Sequence, residues 1–93
     1  MITVHRYELQ ADTTQNLVLP EGSQVLSVGV QDDRVMLWCR VDTQNPLNAS
    51  NRVLILATGQ NCRPFLNERM EFYGTVFGRG FVFHVFGDIP KHI

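Results

Sequence analysis

Trp38 and Arg40 stand two residues apart in a run of alternating apolar positions, and side chains at that spacing on a strand project from one face. An indole offers a ring for stacking, and a guanidinium offers a planar fork of donors for phosphate or carboxylate. Together they are the chemistry that holds a nucleobase with an attached phosphate; the alternative is a core Trp38 with Arg40 solvating the end of its strand. Seven of the eight basic residues are Arg, with Lys91 the single Lys, a bias that fits an anion site as well as plain surface solvation. Exposed aromatic rings beside Arg40, Arg52, Arg63 or Arg79 would form a stacking platform flanked by such a fork. His84, in the run FVFHVFGD, adds an imidazole that can donate or accept near neutral pH, or else a half-buried ring held by one hydrogen bond. The candidate ligand-binding residues are therefore Trp38, Arg40, Arg52, Arg63 and His84.

Catalytic chemistry finds no comparable support. Asp32 and Asp33 are adjacent, so their carboxylates point apart and cannot share a substrate as acid and base; turn formation accounts for them. Serines occur only at 23, 27 and 50, none in a nucleophile-elbow context, and no glycine-rich phosphate loop precedes a helix. Cys39 and Cys62 are too few and too far apart for a zinc set, and His5, His84 and His92 are not placed by spacing on one metal. No catalytic residue, metal ligand or cofactor is assigned, and the chain reads as a non-enzyme.

The 93 residues suffice for one domain, residues 1–93, and not for two. A formal net charge of −1 argues against general nucleic-acid binding, which needs a basic excess to neutralise phosphates. No apolar run approaches the roughly 18 residues of a membrane span and no signal-peptide pattern opens the chain, which together predict a soluble, intracellular protein with free thiols. Asn48-Ala49-Ser50 matches a glycosylation sequon, which in that compartment is chance.

The elements that must position these side chains are strands. The organising stretch is Gln24–Asp42, where two apolar runs of period two meet across Gln31-Asp32-Asp33-Arg34 in the best hairpin of the sequence. Val35, Leu37, Cys39 and Val41 share one face and Met36, Trp38 and Arg40 the other, which predicts a central strand covered on both sides. Ile2–Leu9 suits an edge strand. Ala11–Asn16 reads as turn-rich, followed by a short strand Leu17–Leu19 stopped at Pro20, and Thr43–Arg52 reads as an exposed loop. Val53–Thr58 is a fully covered strand, and Cys62–Met70 a packing loop that closes a single helical turn near Pro64. Glu71–Phe77 and Phe81–Phe86 form the second strong hairpin, turning at Gly78-Arg79-Gly80; the tail from Gly87 frays unless Ile89 and Ile93 dock. About seven short strands built on two hairpins predict an all-β fold, a small β-sandwich or barrel. Apolar residues on both faces of Val35–Val41 and Phe81–Phe86 call for a second sheet or a subunit partner, and a homo-oligomer, most simply a dimer, is expected.

The segments LPEGSQVLSVGVQ, LWCRVD, ATGQ, YGTVF and FVFHVFGD, in that order, resemble an uncharacterised family of small proteins of tailed phages and prophages, over most of the chain. Phe83 stands where that family carries a Trp, a departure that touches packing more than chemistry. The resemblance implies a β-rich fold, phage or prophage origin and a place in the host cytoplasm, but no activity. By analogy of class and size, the expected function is a non-enzymatic module that counters a host process by sequestering a nucleotide-derived immune signal. The alternatives are a protein-binding inhibitor of a host defence enzyme, and a structural or accessory phage protein without a ligand site.

Overall fold

The computed structural model describes residues 1–78 and 80–93. It holds seven strands: β1 (Ile2–Glu8), β2 (Thr14–Pro20), β3 (Gln24–Gln31), β4 (Arg34–Asp42), β5 (Leu47–Ala57), β6 (Glu71–Gly78) and β7 (Phe81–Gly87). They make two antiparallel sheets, one ordered β1-β4-β3 and the other β2-β5-β7-β6, so the fold is an all-β sandwich. The β3–β4 connection is two residues long, and both carry positive φ, 54° at Asp32 and 61° at Asp33. That is the type I′ geometry whose twist matches the flanking strands, and Asp tolerates it better than most residues. β4 is the central strand of its sheet, as its two apolar faces predict.

The core lies between the sheets. Val25, Leu37, Cys39 and Val41 meet Leu19, Val53, Ile55, Tyr73, Val76 and Val85, with Leu9 and Ile89 closing the ends. The second faces are covered in part from within the chain, with Ile2, Val4, Phe72 and Phe77 left exposed. On β4, Met36 is buried although it points outward, because Arg6 of β1 reaches across to the Gln31 side chain of β3 and roofs that part of the sheet. Trp38 lies half-buried against Gly29, where a Cβ would come within 3.3 Å of the indole ring. In the other sheet β5 and β6 both run antiparallel to β7, hence parallel to each other, so residues 58–70 must return along the whole sheet. The inner side being filled, this crossover passes over the outer side, which accounts for the burial of outward-facing Leu54 and Leu56 and the half-burial of Phe65, Leu66 and Met70.

Two sequence expectations change. The polar stretch 14–16 is strand, because Thr14, Gln15 and Asn16 pair with Leu54, Val53 and Arg52 at a sheet edge, where one solvated side needs no apolar alternation. For the same reason the expected loop Thr43–Arg52 shrinks to 43–46. Leu47 to Arg52 extend β5 against β2 through a register shift, with Asn51 Nδ2 donating to the Leu17 carbonyl at 2.9 Å. The single helical turn expected near Pro64 is present: the Leu66 N–H donates to the Cys62 carbonyl at 2.9 Å, one α-turn that does not propagate into a helix. The hairpin tip residue Arg79 lies outside the described residues.

One irregularity joins the sheets. Opposite β7 the register of β6 slips between Phe72 and Gly74, so Tyr73 is an extra residue and its ring turns inward. There it occupies the space a Cβ on Gly87 would need: that atom would lie 2.7 Å from the ring and 2.6 Å from the Arg52 carbonyl. The Tyr73 hydroxyl donates to the Ile89 carbonyl at 2.6 Å, and Ile89 is buried, while Ile93 is fully exposed. The tail is tied further by Val25 N–H to the Pro90 carbonyl and His92 N–H to the Val25 carbonyl, both 2.8 Å. Tyr73→Phe leaves a buried carbonyl unpaired and is expected to cost about 1–3 kcal/mol, read as a lower urea midpoint with faster proteolytic trimming of residues 88–93. Gly87→Ala, which has no room to relax toward backbone, is expected to cost more; equal midpoints for both variants and the parent would contradict this packing.

Candidate functional site

A cleft of about 610 Å3 opens at one end of the sandwich. Its floor is apolar, made by Leu9, Val35 and Ile55 where the strands leave the core. Its walls come from the segment after β1 (Gln10, Ala11, Thr13), the β3–β4 turn (Asp33, Arg34) and the end of β5 (Ala57, Gln60). Val30, Gly78, Phe81 and Phe83 complete it along the corner where β3 meets the β6–β7 hairpin.

The walls are held by local bonds. The Gln15 side chain clasps both main-chain groups of Gln10, accepting from its N–H at 2.8 Å and donating to its carbonyl at 2.9 Å. Gln60 Oε1 accepts from the Ala57 N–H at 3.0 Å, and Gln60 Nε2 reaches Thr13 Oγ1 at 3.5 Å, linking the end of β5 to the segment after β1. The Leu9 N–H donates to the Val35 carbonyl at 2.9 Å, which seats Leu9 in the floor. Phe81 and Phe83 project from one face of β7 with ring centroids 6.0 Å apart; Phe83 packs on the core while Phe81 is 62% exposed.

Arg34 is the cation of the cleft among the described residues, and its Nη1 donates to Glu8 Oε1 at 2.8 Å. The Arg34 side chain is 64% and the Glu8 side chain 39% exposed, so the pair contributes little to stability. With Glu8 and Asp33 also in the wall, the cleft offers two carboxylates, one guanidinium, three side-chain amide or hydroxyl groups and an aromatic rim.

The five residues singled out from sequence do not converge. Trp38 and Arg40 share a face, as their spacing requires, but it is the outer face of the three-stranded sheet, since Leu37 and Cys39 between and beside them are in the core. Arg40 there lies near Asp42, whose carboxyl is held below the usual range chiefly by the Gln44 N–H, with the terminal amine and Arg40 adding to the effect. Arg52 is exposed on β5 beside Asp88, which accepts its main-chain N–H at 2.9 Å. Arg63 is exposed in the crossover. His84 is bracketed on the outer face of the four-stranded sheet: Thr58 Oγ1 lies 2.7 Å from Nε2 and Thr75 Oγ1 3.0 Å from Nδ1. Both ring nitrogens are engaged, and the imidazole ties the crossover to β6 and β7. Arg34, Phe81 and Phe83 were missed. The available signal was the shared face of the two Phe beside the hairpin tip; that the β3–β4 turn lies over the same end of the molecule is set by the sheet topology.

The thiols separate cleanly. Burial pushes Cys39 up to about 12, so it is neutral at physiological pH and inert as a nucleophile, whereas Cys62 is exposed. Among the described residues no group of three His, Cys, Asp or Glu side chains is arranged to hold a metal ion.

A family model described as "Domain of unknown function (DUF7352)" matches residues 1–92. No curated protein and no solved structure matches the chain.

Because the neutral Cys39 thiol is favoured in the folded state, its contribution to stability is whole below about pH 9 and is lost as pH rises toward 12. The raised Tyr7 and Tyr73 hydroxyls, both shifted mainly by burial, act in the same direction. The expected outcome is one thiol titrated by an aromatic disulfide reagent in native protein at pH 8 and two in denaturant, with the urea midpoint falling above pH 9. Two fast-reacting native thiols would contradict the placement of Cys39.

Proposed function

The chain belongs to the DUF7352 family, and on that premise we propose that it is a non-enzymatic binding module whose end cleft takes a small nucleotide-derived ligand. The supporting observation is the convergence of an apolar floor, the Phe81 and Phe83 rings and the Arg34 fork in one cavity with a polar rim. Flat heteroaromatic rings bind in such places by stacking on phenyl groups while amides and carboxylates meet their edges. Arg34 exchanges Glu8 for an anionic group on the ligand, a charge-assisted hydrogen bond replacing an exposed ion pair. With Arg34 the one cation among the described lining residues and Glu8 and Asp33 opposed to it, the cleft suits a ligand of low charge, a nucleoside carrying one phosphate or a cyclised phosphodiester, over a polyphosphate.

The resemblance to phage and prophage proteins supplies the setting: the module counters a host process from the host cytoplasm by sequestering such a signal. A protein-binding inhibitor is the second reading, favoured by Phe77, 71% exposed near the same end of the β6–β7 hairpin.

The test is mass spectrometry of small molecules released on denaturing protein that has been incubated with lysate of infected, defence-active cells, followed by calorimetry with the released compound. Arg34→Ala is expected to weaken binding by about 10- to 150-fold, as loss of about 1.5–3 kcal/mol would, and Phe81→Ala by about 5- to 150-fold, as loss of about 1–3 kcal/mol of stacking would. Arg40→Ala on the outer sheet face is expected to bind like the parent. The reverse pattern would move the site to Trp38 and Arg40, and release of no compound together with capture of a host protein would favour the inhibitor.

A further inference from the structure

Each sheet ends in strands whose outer main-chain groups need an account. β2 is broken by the register shift between Leu17 and Leu19 and ends in Pro20. The outer side of β3 is taken by the tail through Val25, and further along it turns into the corner with β6, where a Cβ on Gly74 would lie 2.7 Å from Val28 Cγ1. β1 differs: among the described residues it pairs with β4 alone, in unbroken register from Ile2 to Glu8, and it carries no Pro, Lys or bulge.

The phase of β1 is fixed at both ends. The Met1 carbonyl accepts from the Thr43 N–H and the Leu9 N–H donates to the Val35 carbonyl, both at 2.9 Å, so the odd positions direct their main-chain groups to β4. Ile2, Val4, Arg6 and Glu8 therefore direct theirs to the open edge. The two charges that would guard this edge lean away from it, Arg6 across β4 to Gln31 and Glu8 to Arg34. What remains beside the edge is Ile2, 57% exposed, and Val4, 53% exposed, on one face of the strand.

We propose that β1 is a homodimerisation edge: two copies of the chain pair β1 antiparallel about a two-fold axis at Val4, extending the three-stranded sheet to six strands. The register follows from charge and shape. Pairing about Val4 sets Val4 against its counterpart and Ile2 against the aliphatic stem of Arg6 in the second copy, closes about six main-chain hydrogen bonds, and buries both apolar side chains. Pairing about His5, the neighbouring two-fold register of the same hydrogen-bond phase, would bring the two Arg6 side chains into diagonal contact and the two His5 face to face. A closed two-fold interface consumes both free edges and stops at two copies. The end cleft is left open, because only Glu8 of β1 lines it.

Light scattering on the whole chain, from micromolar to millimolar concentration, tests the proposal. The parent is expected to approach twice the chain mass of 10.6 kDa. Val4→Lys and Val4→Glu, substitutions at an exposed position that leave the fold intact by circular dichroism, are each expected to remain monomeric, since they set like charges across the axis. Mixing them in equal amounts is expected to restore the dimer. A monomeric parent across the range, or a dimer that persists unchanged in Val4→Lys, would overturn the assignment.

Discussion

The extra residue in β6 is the constraint on which the arrangement depends. Held in the register of Gly74 to Gly78 without the slip, Tyr73 would oppose Phe86 and its ring would face outward, Gly87 would have no reason to lack a side chain, and the Ile89 carbonyl would be buried without a donor. With it, one aromatic ring fills the space between the sheets, holds the tail over the end of the core and brings Gly74 against Val28 of the facing sheet. A bulge bends and twists the strand that carries it, and here the bend joins the edges β3 and β6 into a corner. A glycine at the contact lets them approach more closely than two side chains would permit.

That corner has consequences at both ends of the molecule. At the end where the tail returns, Val25, Pro90 and His92 exchange main-chain hydrogen bonds and the chain terminus is sealed to the sheet. At the other end no terminal segment among the described residues returns. The strands diverge from Leu9, Val35 and Ile55, and the corner continues upward through Val30, Gly78 and the two phenyl rings as one wall of the cleft. The cavity is thus a product of topology: three strands face four, the tail plugs one mouth, and the other is bordered by the segment after β1, the β3–β4 turn and the end of β5.

Much of the framework was legible in the sequence because it was written in period two. The alternation of Val35 to Val41 identified a central strand, and the paired Asp32 and Asp33 marked a turn that does adopt positive φ. Edge strands were legible only in part, since Thr14 to Asn16 and Leu47 to Arg52 pair through main-chain groups whose side chains are mostly solvated and carry no apolar signal. The crossover after β5 was invisible for a different reason. Whether β6 runs parallel or antiparallel to β5 depends on β7 inserting between them, and no local pattern encodes that order. The same non-local ordering explains the site residues. Spacing correctly placed Trp38 and Arg40 on one face, but could not say that the face points away from the cavity, nor that Arg34 and Phe81, far apart in the chain, look into it.

The central claim, that the open end of the sandwich is where this protein meets a ligand, is most directly tested by amide chemical-shift mapping during titration with a panel of nucleoside monophosphates and cyclic dinucleotides. The account predicts saturable shifts in at least one titration, confined to the segment after β1, the β3–β4 turn, the end of β5 and the start of β7. Shifts centred on Trp38 and Arg40, or none with any member of the panel, would contradict it.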